Sequence, residues 1–277
     1  MKTKIVCDSS CDLYKMQDID FSVVPLHITN SSKEYIDNEE LDVDKMANEL
    51  LAAGGRTSTG CPGIGDWLNA FDGAEQIFVI TITGALSGSY NSAVQAASQY
   101  IEKYPERKVC VLDSKSTGPV LVLILEKLRE LILSGTSFDK IKKNIFQYHQ
   151  KLHLLFILNS VQNLANNGRV NKLAAAAVGL LGVCLVGQAS SEGELEILTK
   201  CRGQKKGIKK VIEKMQELNH INGKVIIHHC NNINGANELS KLLLELKPDC
   251  IIEIRKTGGL CRFYAEEGGL LIGFEKG

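Results

Sequence analysis

The chain has 277 residues, and 44% of them are hydrophobic, which is enough to fill the core of one large domain or two ordinary ones. The 32 Lys and Arg residues balance the 32 Asp and Glu residues. This balance removes the electrostatic argument for a nucleic-acid partner or an anionic membrane surface, so a small-molecule ligand is the better expectation.

The cysteines and the apolar segments of the chain indicate the cellular compartment of the protein. The nine cysteines are scattered and odd in number, and no Cys-x-x-Cys pair occurs, which indicates reduced core thiols of a cytoplasmic protein. The chain enters a short strand within its first few residues, without an apolar stretch long enough for a signal peptide, so secretion is not expected. The most apolar run, residues 173–187, is shorter than the roughly 20 residues that cross a bilayer. It predicts a buried helix over 173–181 that leads into a strand, and no stable membrane insertion.

The first half of the chain alternates β-rich runs with helical patterns. Strands are predicted over 4–7, 21–28, 76–82 and 108–112, and helices over 43–53, 89–103 and 119–133. Such alternation predicts a parallel sheet covered by helices, and the continuous apolar run at 77–80 indicates burial of both sheet faces.

The second half has a different pattern. A helix is predicted over 138–150, a strand over 153–158, a hairpin turn at 190–193, helices over 205–218 and 235–246, and strands over 224–228, 249–254, 259–263 and 270–274. The fold class is therefore α/β, with an N-terminal parallel-sheet domain (1–152) and a second, smaller α/β domain containing antiparallel strands (153–277). Ligands of such folds bind beyond the carboxyl ends of strands or between domains.

A cluster of hydroxyl groups follows the strand at 76–82. The segment from Thr83 to Ser92 carries Ser87, Ser89 and Asn91 around a glycine, directly before a helix. A helix N-terminus favours an anion, and neutral side-chain donors add direction. Helix capping alone explains one hydroxyl, but this loop carries several. A second hydroxyl loop, at Thr57 and Ser58, is equally without charge, so the two loops predict a carboxylate or phosphate site without a catalytic acid or base.

Enzymatic alternatives rest on Ser87 and on two histidines. A hydrolase nucleophile elbow requires Gly-x-Ser-x-Gly, and here Ala85 and Ser89 occupy the glycine positions. His228 and His229 end a strand, where adjacent side chains point to opposite faces, so they cannot both ligate one metal without distortion. Their expected role is hydrogen bonding in a strand–helix turn. Hydrolysis at Ser87 and phosphotransfer at either histidine remain the alternative functions.

Two further charged segments have structural and functional interpretations. Asp8 and Asp12 flank a predicted turn and helix cap, with metal ligation as the alternative. Lysines 205, 206, 209 and 210 recur at helical spacing, which indicates a solvated helix face or a docking patch for an acidic partner.

The order and spacing of eight motifs carry a resemblance over nearly the whole chain. They are Asp8-Ser-Ser-Cys-Asp-Leu, Val24-Pro-Leu, Thr57-Ser58, Leu86-Ser-Gly-Ser-Tyr-Asn-Ser-Ala, Leu112-Asp-Ser, Asn167-Gly-Arg-Val, Cys201-Arg-Gly-Gln-Lys-Lys and His229-Cys-Asn-Asn. In these motifs the chain resembles the DegV family of bacterial fatty-acid-binding proteins, some of which present the bound acid to a separate fatty acid kinase.

The resemblance implies a non-catalytic protein that holds a long-chain fatty acid near the junction of two α/β domains, with neither metal nor cofactor. It implies that Thr57, Ser58 and Ser87 bind the carboxylate and that Gly88 and Ser89 supply backbone donors. Physical chemistry agrees, because an acyl tail gains about 0.8 kcal/mol per buried CH₂ group and its head group needs only a few polar partners.

Two departures from the family pattern concern the expected head-group site. The family's Thr-Ser-Gln-Pro-Ser loop ends here as Thr59-Gly60-Cys61-Pro62, and Tyr264 stands where relatives carry the histidine of a His-x-Gly-Pro-Gly segment. Tyr264 is therefore predicted to contact the ligand. If the family histidine serves phosphate transfer, this chain binds the acid without presenting it to a kinase.

Overall fold

The computed structural model describes residues 2–170, 182–219 and 223–276. Within these ranges the strands are β1 (Thr3–Asp8), β2 (Asp20–Val24), β3 (His27–Thr29), β4 (Glu34–Ile36), β5 (Ser58–Gly60), β6 (Gln76–Thr81), β7 (Lys108–Asp113), β8 (Leu152–Leu158), β9 (Val183–Ala189), β10 (Leu195–Arg202), β11 (Lys224–His229), β12 (Ile251–Lys256) and β13 (Leu270–Glu275). The helices are α1 (Val43–Ala53), α2 (Ile64–Phe71), α3 (Ser89–Lys103), α4 (Pro119–Leu133), α5 (Phe138–His149), α6 (Gln162–Asn166), α7 (Gln204–Glu217), α8 (Ile233–Leu246) and α9 (Gly259–Ala265).

Three sheets organise the described chain. A parallel sheet has the strand order β2-β1-β6-β7, and a small antiparallel sheet has the order β4-β3-β5. The third sheet, β10-β9-β8-β13-β11-β12, is antiparallel except for the β11–β12 pair. The predicted α/β fold class, with a parallel sheet and a second unit containing antiparallel strands, is confirmed. The domain boundary between residues 152 and 153 stays a prediction, and the helix predicted over 173–181 lies outside the described residues.

The parallel sheet is buried on both faces, as its continuous apolar strands predict. On β6, Ile77 and Val79 pack with the aromatic residues of α2, whereas Phe78 and Ile80 pack with α4. Alternate side chains of a strand point to opposite faces, so a strand covered on both sides must be apolar throughout.

Helix α4 joins the parallel sheet to the six-stranded sheet. Its first seven residues are buried, and it contacts β6, β8, β11 and β13. The approach to β13 is close, because a Cβ atom added at Gly273 would lie 2.8 Å from the Pro119 carbonyl carbon. A helical segment that is apolar on all sides must be buried, and this first half of α4 lies between the two sheets, whereas the charged residues of α4 are in its second half.

Two predicted strands were wrong in detail. Residues 21–28 form two strands, β2 and β3, which belong to different sheets and are separated at Pro25, a residue without an N–H to donate. Residues 259–263, predicted as a strand, begin helix α9. A short apolar run alone does not distinguish a strand from a buried helix. For residues 259–263, a tertiary contact favours the helix.

That contact is the buried carboxylate of Asp37. It accepts hydrogen bonds from the backbone N–H groups of Gly259 (2.8 Å) and Leu260 (3.0 Å) and from the Tyr14 hydroxyl (2.8 Å). The first N–H groups of a helix have no partner within the helix, so a carboxylate more than 220 positions away in sequence caps α9.

The buried position of Asp37 predicts a pH dependence of stability. Burial raises its pKa to about 6, against about 4 in an unfolded chain, so the folded state binds more protons between these values. The free energy of unfolding should therefore fall as the pH rises from about 4 to about 6, by about 3 kcal/mol from this group. Asp37→Asn removes the titration. In urea unfolding across this range, the stability of the wild type relative to the variant should decrease with pH, and parallel pH profiles would contradict the assignment.

Among the described residues, none of the helices is long and apolar enough to cross a membrane.

Candidate functional site

An apolar cavity of about 310 Å³ lies where loops of the first half of the chain meet β8 and α9. Leu154, Phe156 and Leu158 of β8 form one wall, because alternate side chains of a strand share a face. Leu155 and Ile157 face the opposite way, into a core with α7 and α8. The cavity therefore follows β8, and Leu154 and Leu158 lie about 13 Å apart at about 3.3 Å per residue.

Ser87 and Gly88 contribute polar groups to the cavity at the start of α3. The Ser87 hydroxyl oxygen accepts a hydrogen bond from the Ser89 N–H (3.3 Å), and its own hydrogen remains able to donate. Gly88 is required for space, since an added Cβ would lie 2.9 Å from the Cys61 sulfur. The two hydroxyl loops therefore pack against each other beside a helix N-terminus.

Ser89 has a structural role that the sequence did not indicate. Its buried hydroxyl donates to Asp8 Oδ2 (2.6 Å), and the same carboxylate oxygen accepts from the Ile82 N–H (2.8 Å). Burial raises the pKa of Asp8, and the hydrogen bonds from Ser10, Ser89 and Ile82 act in the opposite direction. Asp8 thus holds both ends of the segment that carries Ser87.

The second hydroxyl loop reaches the cavity through Thr59. Its hydroxyl lies 2.7 Å from the Tyr264 hydroxyl, and both residues line the cavity. Ser58 points away, is exposed, and has its hydroxyl 2.7 Å from that of Thr29. Thr57 lies just before β5, and neither Thr57 nor Ser58 is among the described residues that line the cavity. Burial raises the pKa of Tyr264, so its phenol is neutral and able to donate.

Arg169 is a cavity residue that sequence reasoning overlooked. Its guanidinium donates to the carbonyl oxygens of Leu86 (3.2 Å) and Asn167 (2.7 Å) and lies 5.9 Å from the centre of the Tyr264 ring. Carbonyl contacts position the group without neutralising its charge, so the polar end of the cavity contains a cation. The Asn167-Gly-Arg-Val motif was the available signal, but its distance from the hydroxyl loops in the sequence concealed it.

The histidines of the alternative functions have structural contacts. The His228 side chain is buried, with Nδ1 2.7 Å from Asp12 Oδ2, and His229 Nδ1 accepts a hydrogen bond from the Asn232 N–H (3.2 Å). Burial lowers the pKa of His229. Cys261 lines the cavity, but burial raises the pKa of its thiol well above the usual range, so it is protonated. Within the described ranges, no group of three His, Cys, Asp or Glu side chains is arranged to hold a metal ion.

Comparison with known proteins identifies the family. The profile of the DegV family, described as uncharacterised proteins, matches residues 2–276. A DegV domain-containing protein of Streptococcus gordonii is 44% identical over 281 aligned positions, which cover 100% of both chains. The chain belongs to the DegV family. The resemblance drawn from the eight motifs is thus confirmed.

Two solved DegV-type structures share the fold closely. One is the fatty acid kinase (Fak) B3 protein of Streptococcus pneumoniae loaded with linoleic acid, with 40% identity, a TM-score of 0.97 and coverage of 100% of both chains. The other is a DegV family protein of Eubacterium eligens loaded with heptadecanoic acid, with 40% identity, a TM-score of 0.97 and coverage of 99% of this chain and 100% of that one.

Proposed function

We propose that this DegV protein encloses one long-chain fatty acid in the apolar cavity and does not transform it. The observation that carries the proposal is a cavity walled by leucine and phenylalanine side chains, whose described lining also includes neutral hydroxyls, the Arg169 cation and the acidic residue Glu194. A long acyl tail matches the apolar walls, and a carboxylate matches the polar groups. The two solved relatives at 40% identity are loaded with fatty acids, which supports the same ligand class here.

The carboxylate is proposed to bind Ser87, the Thr59–Tyr264 hydroxyl pair and the backbone at Gly88 and Ser89. The N-terminal end of α3 adds a favourable dipole, and Arg169 adds charge. The set differs in two respects from the one that the resemblance implies: Thr59 replaces Thr57 and Ser58, and Arg169 is added. Alternation along β5 places Ser58 and Thr59 on opposite faces, and of the three hydroxyl residues at 57–59 only Thr59 lines the cavity.

Among the described residues, the contacts of the Ser87 hydroxyl do not include a general base. The Ser87 hydroxyl accepts a hydrogen bond from a backbone N–H, whereas a nucleophile needs a neighbouring general base. His228 is fully buried beside Asp12, and His229 is 6% exposed with Nδ1 accepting from the Asn232 N–H, so neither imidazole is open to a phosphoryl donor. These contacts favour a binding protein over both enzymatic alternatives.

Partnership with a fatty acid kinase is the second part of the proposal. Its support is the likeness to the S. pneumoniae protein, which is named as a fatty acid kinase component. Incubation of the loaded protein with a purified fatty acid kinase and ATP tests it, with acyl phosphate as the readout. Product formation would show that Tyr264 is compatible with presentation of the acid, and its absence would indicate a carrier alone.

Native mass spectrometry of the protein purified without added lipid tests the binding function. The expected result is a population heavier than the polypeptide by the mass of one fatty acid, with extraction and chromatography identifying the acid. Recovery of empty protein alone, without saturable uptake when fatty acids are supplied, would refute the proposal.

Ser87→Ala should weaken fatty-acid binding by about 1–3 kcal/mol, because the buried carboxylate loses a hydroxyl donor. This corresponds to a rise in Kd of roughly 5- to 150-fold. Displacement of a fluorescent fatty acid measures the change. Ser58→Ala is the matched control, since it removes the same group from the outward face of β5 and should leave Kd unchanged. An equal loss in both variants would contradict the choice of Thr59 over Ser58.

A further inference from the structure

A second, polar cleft lies beside the apolar cavity. It has a volume of about 820 Å³ and is formed by the end of β7, the end of α5 and the adjoining ends of β8 and β9. Polar and charged side chains contribute much of its surface, among them Lys115, His149, His153 and Glu196. Its apolar floor includes Leu112, Val120 and Leu152.

Three of the described residues form a wall between the two spaces. Ser116, Leu154 and Ala189 each line both the apolar cavity and the polar cleft. Leu154 is the largest of the three, and its side chain is 2% exposed. The wall is therefore one residue thick at Leu154.

Leu154 is the wall residue that lies away from Tyr264, whereas the Ser116 carbonyl accepts a hydrogen bond from the Thr83 N–H (2.9 Å). Leu158 lies beside α6, which hydrogen-bonds α9 through the Asn163 amide and the Phe263 carbonyl (2.8 Å), next to Tyr264. Leu154 lies about 13 Å further along β8. A chain whose carboxylate contacts Tyr264 and whose tail follows β8 thus meets the wall with its methyl end.

We propose that the wall formed by Ser116, Leu154 and Ala189 sets the maximum length of the acyl chain. The inference rests on the proposed function, since it specifies the ligand of the same cavity. Each CH₂ group that fits inside the cavity improves Kd by about fourfold. A CH₂ group beyond the wall must displace Leu154 or contact the polar side chains of the cleft, where it gains less from burial. Affinity should thus rise with chain length and then fall at the wall.

Leu154→Ala tests this assignment. Losing three carbon atoms from the wall should join the cavity to the apolar floor of the cleft and make room for about two CH₂ groups. We expect the optimum chain length to increase by about two carbons, with the Kd ratio between the longer acid and the wild-type optimum shifted about tenfold or more. Kd values for saturated acids of increasing even chain length provide the measurement.

Leu155→Ala is the matched control. Leu155 is also buried in β8 but faces the core formed with α7 and α8, so its loss lowers stability without touching the cavity. Its length optimum should equal that of the wild type. Leu154→Val, which removes one carbon, keeps the test available if the alanine variant does not fold, with a smaller shift in the same direction.

The outcomes separate this inference from the proposed function. Absence of saturable fatty-acid binding by the wild type would overturn both. Binding by the wild type with the same length optimum in the Leu154 variants would overturn the wall alone. A shift of equal size in Leu155→Ala would also overturn it, because loosening of the protein would then explain the change.

Discussion

Replacing Asp8 by alanine is expected to lower the free energy of unfolding by about 3–5 kcal/mol. The buried carboxylate accepts hydrogen bonds from the Ser10 hydroxyl (2.5 Å), the Ser89 hydroxyl (2.6 Å) and the Ile82 N–H (2.8 Å). Alanine accepts none of them, and each buried donor left unpaired costs about 1–3 kcal/mol. Relief from burying a charge offsets part of the loss. Chemical denaturation at neutral pH measures the change.

The Asp8 variant should also weaken fatty-acid binding, because its carboxylate holds Ile82 and Ser89 on either side of Ser87. Asp8→Asn preserves the side-chain volume and one acceptor and should lose less stability. Asp20→Ala is a surface control, since Asp20 forms only partly exposed ion pairs with Lys2 (3.3 Å) and Lys4 (4.0 Å) and should change stability by less than about 1 kcal/mol. A loss below about 1 kcal/mol for Asp8→Ala would show that the three donors find other partners.

Asp12→Ala is expected to lower the free energy of unfolding by a similar amount, about 3–5 kcal/mol. The Asp12 and His228 side chains are both fully buried, and the pair joins the turn after β1 to the end of β11, 216 positions apart. Removal of the carboxylate leaves the imidazole buried without its partner. Asp12 also has φ = +56°, so alanine adds about 1 kcal/mol of backbone strain.

Asp18→Ala is the control for that strain. Asp18 has φ = +60° and pairs with Arg129 at 2.7 Å, but its side chain is 69% exposed. The Asp18→Ala variant therefore has the same backbone strain at positive φ and loses only a surface ion pair. The difference between the two alanine variants measures the buried pair. Combining Asp12→Ala with His228→Leu should recover part of the loss, because no polar group is then left unpaired. Additive losses would contradict a coupled pair.

The elements of the fold were largely predictable from local pattern. Hydrophobic periodicity indicated α3 and α4 at their observed bounds, and alternation of strands with helices indicated the parallel sheet. The errors fell where a distant contact decides the local structure. Asp37 caps α9, and β3 pairs with β4 and β5 in the small sheet instead of continuing β2 in the parallel sheet.

The residue types of the candidate site were more predictable than the directions in which their side chains point. Ser87, Gly88 and Tyr264 were selected from the sequence and line the cavity. Thr57 and Ser58, which the resemblance implied, are not among the described lining residues, whereas Thr59 is, and a one-residue shift in a short strand reverses the face. The resemblance assigned the backbone of Ser89 to the ligand, which stays a prediction, and the structure adds that the Ser89 hydroxyl binds Asp8. The stabilising roles of Asp8 and Asp12 were not apparent, because their partners lie far away in the chain.

The sequence by itself determined the fold class, the family and the hydroxyl-rich chemistry of the proposed head-group site, because composition, periodicity and motif order can be read directly from the order of the residues. Only the tertiary structure decided which hydroxyls face the cavity, that Arg169 joins them, and that Leu154 separates the cavity from a polar cleft. Those features depend on packing between β8, α9 and loops more than 80 residues apart, for which a single sequence carries no local signal.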